Sequence, residues 1–329
     1  ERPVLTVSTA KLQGVVAWAA ADLTVTVGAG MLLADLQRLL ATQGQFVPLD
    51  PPLAAQATVG GVLATGTGGS LRHRYHGIRD LVLGVTFVRA DGAVAKAGGR
   101  VVKNVAGYDL MKLLTGSWGT LAIVTELTLR VYPLPTVSQS WLLSGTLAAV
   151  AALRDRLLAS TLAPVAVEVH SPALCQTLGY GSLWGLAVRF DGVGATVQGD
   201  RLRAMASDLE CRRLDPGFWE AWQELWAGPR LAKFGVLPGS LVSVGARLPG
   251  VWSLGGGTGL GWLIPTEPRE VLRAICTDYG GFLSELAGDK QGDIWGDRPA
   301  ARSLQSRIKQ VFDPGNRLNP GRFLVLGER

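Results

Sequence analysis

The sequence predicts an α+β protein in two lobes, the second built around an antiparallel sheet. Three observations lead there. The glycine-rich front third alternates short β-branched runs with one cluster of leucines at helical spacing. A long β-branched run then stops at Pro133 and Pro135, residues that a strand or helix interior does not tolerate. Beyond it, apolar runs of strand length alternate with amphipathic segments of helical length up to about residue 290. The expected organisation is 1–135, 136–290 and a C-terminal piece over 291–329.

In chain order, Thr24-Val25-Thr26-Val27-Gly28 reads as a short strand. Leu32, Leu33, Leu36, Leu39 and Leu40 fall on one helix face, and Gly44 stops that helix. Asp50-Pro51-Pro52 is a rigid turn. A segment with five glycines follows, 58–70. Residues 81–89 and 94–96 form a hairpin across Asp91-Gly92. Residues 121–131 make the strand that ends the first lobe.

In the second lobe, strands are expected at 141–143, 165–170, 186–190, 241–246 and 262–264. Helices are expected at 147–158, 200–210, 218–226 and 269–279, all on one face of the sheet. Eight of the ten tryptophans lie between 141 and 295, and Phe218, Trp222 and Trp226 recur along one helix face. That stripe reads as core, with an aromatic face for a partner subunit as the alternative. The tail holds a helix over 303–312 and then two proline–glycine turns within 313–322.

Composition bounds the function. With 329 residues, 47% apolar and 18% charged, the chain can fill two cores. No apolar run reaches the length of a membrane span; the run over 15–21 is cut by Asp22. The start lacks the basic-then-apolar layout of a secretory signal, so the cytoplasm is the expected compartment. The chain opens at Glu1 in strand-like sequence, as a trimmed or processed product would. Cys175, Cys211 and Cys276 lie far apart and outside any C-x-x-C, so neither disulfides nor a metal centre is expected. The net charge of +6 comes from scattered residues with no aromatic-interleaved basic run. An anionic cofactor and a small anionic substrate suit it better than nucleic acid.

Two segments could carry chemistry in the first lobe. Val102-Lys103-Asn104-Val105-Ala106-Gly107-Tyr108-Asp109-Leu110 is followed by Gly116-Ser117-Trp118-Gly119-Thr120, where the two glycines bracket a turn. Such a turn lets backbone N–H groups face a ligand with no side chain in the way. The segment 58–70 is not a G-x-G-x-x-G opening a helix after a strand, so a Rossmann reading fails. Its unhindered amides could cradle a pyrophosphate, or it could be a flexible surface loop. A second cluster, 255–261, lies between two strand-like runs and reads as a hairpin turn with no cofactor role. The run Arg72-His73-Arg74-Tyr75-His76-Gly77-Ile78-Arg79 holds two of the three histidines. Arg72 or Arg74 could hold a carboxylate there, and His73 or His76 could take a proton. The other reading is a solvated basic turn.

In wording and spacing these segments resemble the vanillyl-alcohol-oxidase (PCMH-type) FAD-binding flavoproteins, and among them the GlcE-type subunits of glycolate oxidase. The resemblance rests on Pro51, Ala57-Thr58-Val59-Gly60-Gly61, residues 66–70, Gly77, the 102–126 motif and the C-terminal Asp313-Pro314-Gly315 to Arg322. It implies that this last segment returns the chain from a cap domain to the flavin domain. It also implies non-covalent FAD, with Thr58, Gly60 and Gly61 at the phosphates. Gly66, Gly69 and Ser70 would approach the ribityl chain or isoalloxazine, and Gly119, Ile123 and Val124 the adenine end. Pro51, Val59 and Gly77 complete the implied set. In the family a further helix–strand subdomain precedes the point where the resemblance begins. Catalytic 2-hydroxy-acid dehydrogenases of the superfamily carry a Gly-Glu-His-Gly-type motif in the cap. This chain has none, and His170 in its cap reads as structural.

The implied role is that of an FAD-holding subunit that supports oxidation of glycolate to glyoxylate. It would relay electrons between flavin and a GlcF-like iron–sulfur subunit, beside a GlcD-like flavin subunit, with any membrane association made through those partners. Two rivals are a stand-alone 2-hydroxy-acid oxidase or dehydrogenase and a scaffold subunit that has lost FAD.

Overall fold

A computed structural model describes residues 5–100, 107–288 and 299–322. Residues 102–106 of the first motif, and Trp295, lie outside the described residues. The chain divides into two compact units. One holds the N-terminal stretch to Gly68, His76–Leu134 and the C-terminal stretch; the other holds Gly69–Tyr75 and Pro135–Asp297.

The first lobe runs β1 (Val15–Ala19), β2 (Thr24–Gly28), α1 (Leu33–Ala41), β3 (Gln45–Phe46) and α2 (Val59–Thr65). After α3 (Arg72–Tyr75), which belongs to the other unit, come α4 (Ile78–Leu81), β4 (Val82–Val88), β5 (Val94–Gly98) and α5 (Leu110–Leu114). Next are β6 (Ile123–Arg130) and β7 (Tyr132–Pro133). An antiparallel sheet of order β1-β2-β6-β4-β5 results. Its core joins Val25 and Val27 of β2, Leu127 and Leu129 of β6, and Leu33, Leu36 and Leu40 of α1. Those leucines are the face that the spacing predicts.

The segment 58–70 differs from the loop expected. Its first half is α2, because Thr58 caps the helix by accepting the Gly61 N–H at 3.0 Å. Val59, Val62 and Leu63 then recur on the buried face, and Gly66 closes the helix at φ +61°.

The second lobe runs β8 (Ser138–Gly145), α6 (Leu147–Leu158), β9 (Ala166–His170), α7 (Pro172–Thr177), β10 (Trp184–Asp191), α8 (Ala195–Met205) and β11 (Glu210–Arg213). It continues through α9 (Phe218–Leu225), β12 (Leu231–Gly235), α10 (Leu241–Gly245), β13 (Val251–Gly255), β14 (Leu260–Ile264), α11 (Arg269–Asp278) and β15 (Phe282–Ala287). The strands form one antiparallel sheet of order β11-β8-β10-β9-β13-β14-β12-β15. The last helix, α12 (Pro299–Phe312), packs Ile308 and Phe312 on the first-lobe core.

Helices cover both faces of the large sheet, not one as expected. Val167, Val169, Leu186 and Val188 point to a core shared with α6, α8, α10 and α11. Their neighbours Ala166 and Ala187, with Trp262, point the other way, to α7 and α9. On that second face Phe218, Trp219, Trp222 and Trp226 are all buried, so the aromatic stripe is core and not a surface for a partner. Residues 241–246 form a helix where a strand was expected. Leu241, Val244 and Leu248 are buried at helical spacing while Val242 stays exposed. The helix expected at 200–210 starts and ends five residues earlier, and β11 takes up its end as an edge strand.

Candidate functional site

In the first lobe the structure brings the two glycine motifs together. The turn after α5 donates the Gly116 N–H to the Leu63 carbonyl at 2.9 Å and the Trp118 N–H to that of Ala64 at 2.8 Å. These are carbonyls at the C-terminal end of α2, where the helix's own donors run out; that of Leu63 also accepts the N–H of the capping Gly66 at 3.2 Å. Gly66 and Gly116 therefore meet backbone to backbone; a Cβ on Gly66 would lie 3.4 Å from the Gly116 Cα. Within the turn, Gly116, Trp118 and Gly119 all have positive φ, at +74°, +53° and +67°. Beyond it, Ile123 and Val124 open β6 opposite Val88 and Phe87.

The turn is fixed from its other side by the C-terminal segment. Lys309 donates from Nζ to the Thr120 carbonyl at 2.8 Å, and Asn319 donates from Nδ2 to the Trp118 carbonyl at 2.7 Å. Between turn and segment lies a cavity of about 200 Å³, lined among others by Leu113, Ser117, Thr120, Ile308 and Asn316.

At the start of α2 the amides are not unhindered. Val59 donates to the Met31 carbonyl, Gly60 to that of Ala29, and Gly61 to Thr58 Oγ1. Gly60 is glycine for packing, since a Cβ there would come within 2.7 Å of the Ala29 Cβ. Pro51 is buried in the turn before this helix, and Gly77 is buried at the start of α4. The Gly66 and Gly116 amides are occupied too, by the carbonyls of Val62 and Leu63, so what these glycines and Gly119 offer a flat cofactor is close approach without side chains.

The basic run is split. His76 is exposed with φ +65° and lies with the first lobe. Gly69, Ser70, Arg72, His73 and Arg74 belong to a strap, residues 69–75, that is part of the second lobe and packs α3 on β9. His73 rests on the second glycine cluster: a Cβ on Gly257 would sit 2.8 Å from its ring. That hairpin turn thus has a use beyond turning. Burial, and then the charge of Arg74, hold the His73 imidazole below its ordinary pKa.

On the same lobe sequence reasoning missed three residues. Glu168 on β9 and Ser253 on β13 are buried and hydrogen-bonded at 2.7 Å. Ser253 stands opposite both His170 and Trp262, and Trp262 stands opposite Lys233 on β12, so these residues form one row across four strands. Burial, and then the nearby charge of Arg72, bring the Lys233 amine down to about 8. A single charged residue in the apolar strand Leu231–Gly235 was the one signal available. His170 is fully buried and stacked on Phe218 at 5.9 Å. Among the described residues no group of three or more His, Cys, Asp or Glu could hold a metal, and no helix is long and apolar enough to cross a membrane.

The family model for the FAD binding domain matches residues 1–98. This chain carries an FAD-binding domain. Its cofactor is FAD, which the bare glycine backbone of the first lobe fits. The flavoprotein chain is 29% identical over 321 residues to glycolate oxidase subunit GlcE of Escherichia coli, covering 94% of this chain and 85% of that protein. It is 32% identical over 191 residues to glycolate oxidase subunit GlcD of Bacillus subtilis, but there it spans 57% of this chain and 40% of that one. Among solved structures, alkyldihydroxyacetonephosphate synthase superposes with a TM-score of 0.71 at 16% identity, over 95% of this chain and 67% of that one. At that identity the likeness speaks for the fold, which is the flavoprotein's α+β architecture.

Proposed function

We propose that this chain is the FAD-holding subunit of a glycolate oxidase-type complex, supporting oxidation of a small 2-hydroxy acid, glycolate, to glyoxylate. The observation that carries it is the GlcE similarity along nearly the whole of both chains, on top of the FAD-binding domain. Bound FAD would supply an acceptor that takes two electrons together and can release them singly. That suits a relay to a GlcF-like iron–sulfur subunit, with a GlcD-like flavin subunit as the other partner. We assign FAD contacts to Gly66, Gly119, Ile123 and Val124 in the first lobe, with Thr58 at the phosphates through its hydroxyl; Gly60 and Gly61, whose amides are occupied, serve the packing and capping of α2. The second lobe is assigned the cap role.

One observation favours a second reading, a self-sufficient 2-hydroxy-acid dehydrogenase. Arg72 and Lys233 put two cations near each other in the second lobe, suited to a carboxylate, with a neutral His73 on the same strap as proton acceptor. The visible spectrum separates the two. The purified chain is loaded with FAD, passed through gel filtration and mixed anaerobically with glycolate. Retained flavin that bleaches only after the two partner subunits are added supports the subunit reading. Bleaching in the isolated chain, lost in H73Q, selects the dehydrogenase. A chain that retains no flavin overturns both.

A further inference from the structure

We propose that Asn319 and Lys309 are positioning residues that hold the 116–120 turn in the shape that receives FAD. This rests on the FAD reading of the first lobe. The turn is an improbable piece of backbone: three of its residues lie in the left-handed region, and one of them, Trp118, carries a large side chain there. Local preference does not select that shape, so neighbours must.

The C-terminal segment supplies them with polar groups aimed at two alternate carbonyls. Asn319 Nδ2 takes the carbonyl of Trp118, and Lys309 Nζ takes that of Thr120. A trans peptide points its N–H opposite to its C=O. Fixing these two oxygens toward the C-terminal segment therefore directs the N–H groups of Gly119 and Leu121 away from it. The approach of Asn319 also requires the glycine, since a Cβ at 119 would stand 2.9 Å from Nδ2. Arg322 adds a guanidinium over the Trp118 ring, 4.8 Å from its centre.

Lys309 is built in as a fixed part. It is 6% exposed, and its three ammonium hydrogens meet Thr120 O at 2.8 Å, Leu318 O at 2.8 Å and Asp313 Oδ2 at 2.6 Å. Asp313 in turn accepts the N–H groups of Arg317 at 3.0 Å and Leu318 at 2.7 Å. A buried ammonium satisfied in this way cannot swing aside without losing its carboxylate, so the turn it holds stays put. Charge, helix end and tail thus converge on one five-residue stretch.

The test is FAD affinity, read by quenching of flavin fluorescence on titrating the full chain, below the melting temperature. Asn319→Asp keeps the shape and the left-handed backbone (φ +42°) but has no donor for the Trp118 carbonyl. N319D is expected to bind FAD at least ~10-fold more weakly, about 1.4 kcal/mol, while its far-ultraviolet circular dichroism matches the wild type. K309M is expected to lose more. A wild type that binds FAD and an N319D that binds it equally well overturns the proposal alone, whether or not K309M folds. A wild type that binds no FAD overturns the FAD reading together with the proposal.

Discussion

His170 shows how the second lobe treats charge. Both its ring nitrogens lack a hydrogen-bond partner in a site with no exposure, and burial brings its pKa down to about 3. At neutral pH the ring is an uncharged packing piece against Phe218. The native state then binds no proton between about pH 6.5 and 3, while the unfolded chain does, so this group costs stability as pH falls through that window. Between pH 7 and 5 the loss is about 2 kcal/mol. His170→Phe should remove that slope and leave neutral-pH stability equal or higher; urea melts at pH 7 and 5 check it, and an unchanged slope in H170F contradicts it. The position of His170 at the end of an apolar strand made this role legible. Lys233 and Asn319 were not legible, because each acts through register or a remote carbonyl that no local pattern encodes.

At the scale of elements, legibility followed exposure and periodicity. The helix Leu147–Leu158 has the bounds its sequence indicates, and the hairpin of β4 and β5 forms within two residues of those expected, since burial pattern and turn chemistry agree there. Edge strand β11, Glu-Cys-Arg-Arg, is exposed at every position and carries no apolar alternation to read; backbone pairing with β8 alone makes it a strand. In α10 the β-branched residues suggested a strand, but burial at 241, 244 and 248 settled it as a helix. The hidden helix α2 was obscured by its glycines, and it depends on its cap. Thr58→Ala should cost about 1 kcal/mol, with Thr58→Ser close to wild type. Thermal melts of the two variants decide this; equal destabilisation would mean the methyl group, not the cap, matters.

For the whole molecule, each lobe has its own buried core, and the chain's end belongs to the first. Ile308 and Phe312 pack on that core, and Lys309 bonds the turn at 120. Deleting residues 309–322 should therefore raise hydrogen exchange in β2 and β6 and leave β9 and β13 protected. Exchange that rises equally in both sheets would refute that division. Asp313 belongs to the same tie. Burial alone would raise its pKa, but the Arg317 N–H, Lys309 and the Leu318 N–H together hold it below the usual carboxylate range. Its stabilising part is thus in place above about pH 4 and fades as acid protonates the carboxyl through its lowered native value.

The strap over 69–75 has a practical meaning for anyone who would dissect this protein. Seven residues encoded in the middle of the first lobe's gene segment are built into the second, on the strand that carries Glu168 and the turn that seats His73. A gene fragment that stops at Pro135 would encode a strap stripped of its bed, and one that starts there would encode a bed with no strap. The two lobes have separate cores but a shared blueprint, and recombination could exchange neither without taking a splinter of the other.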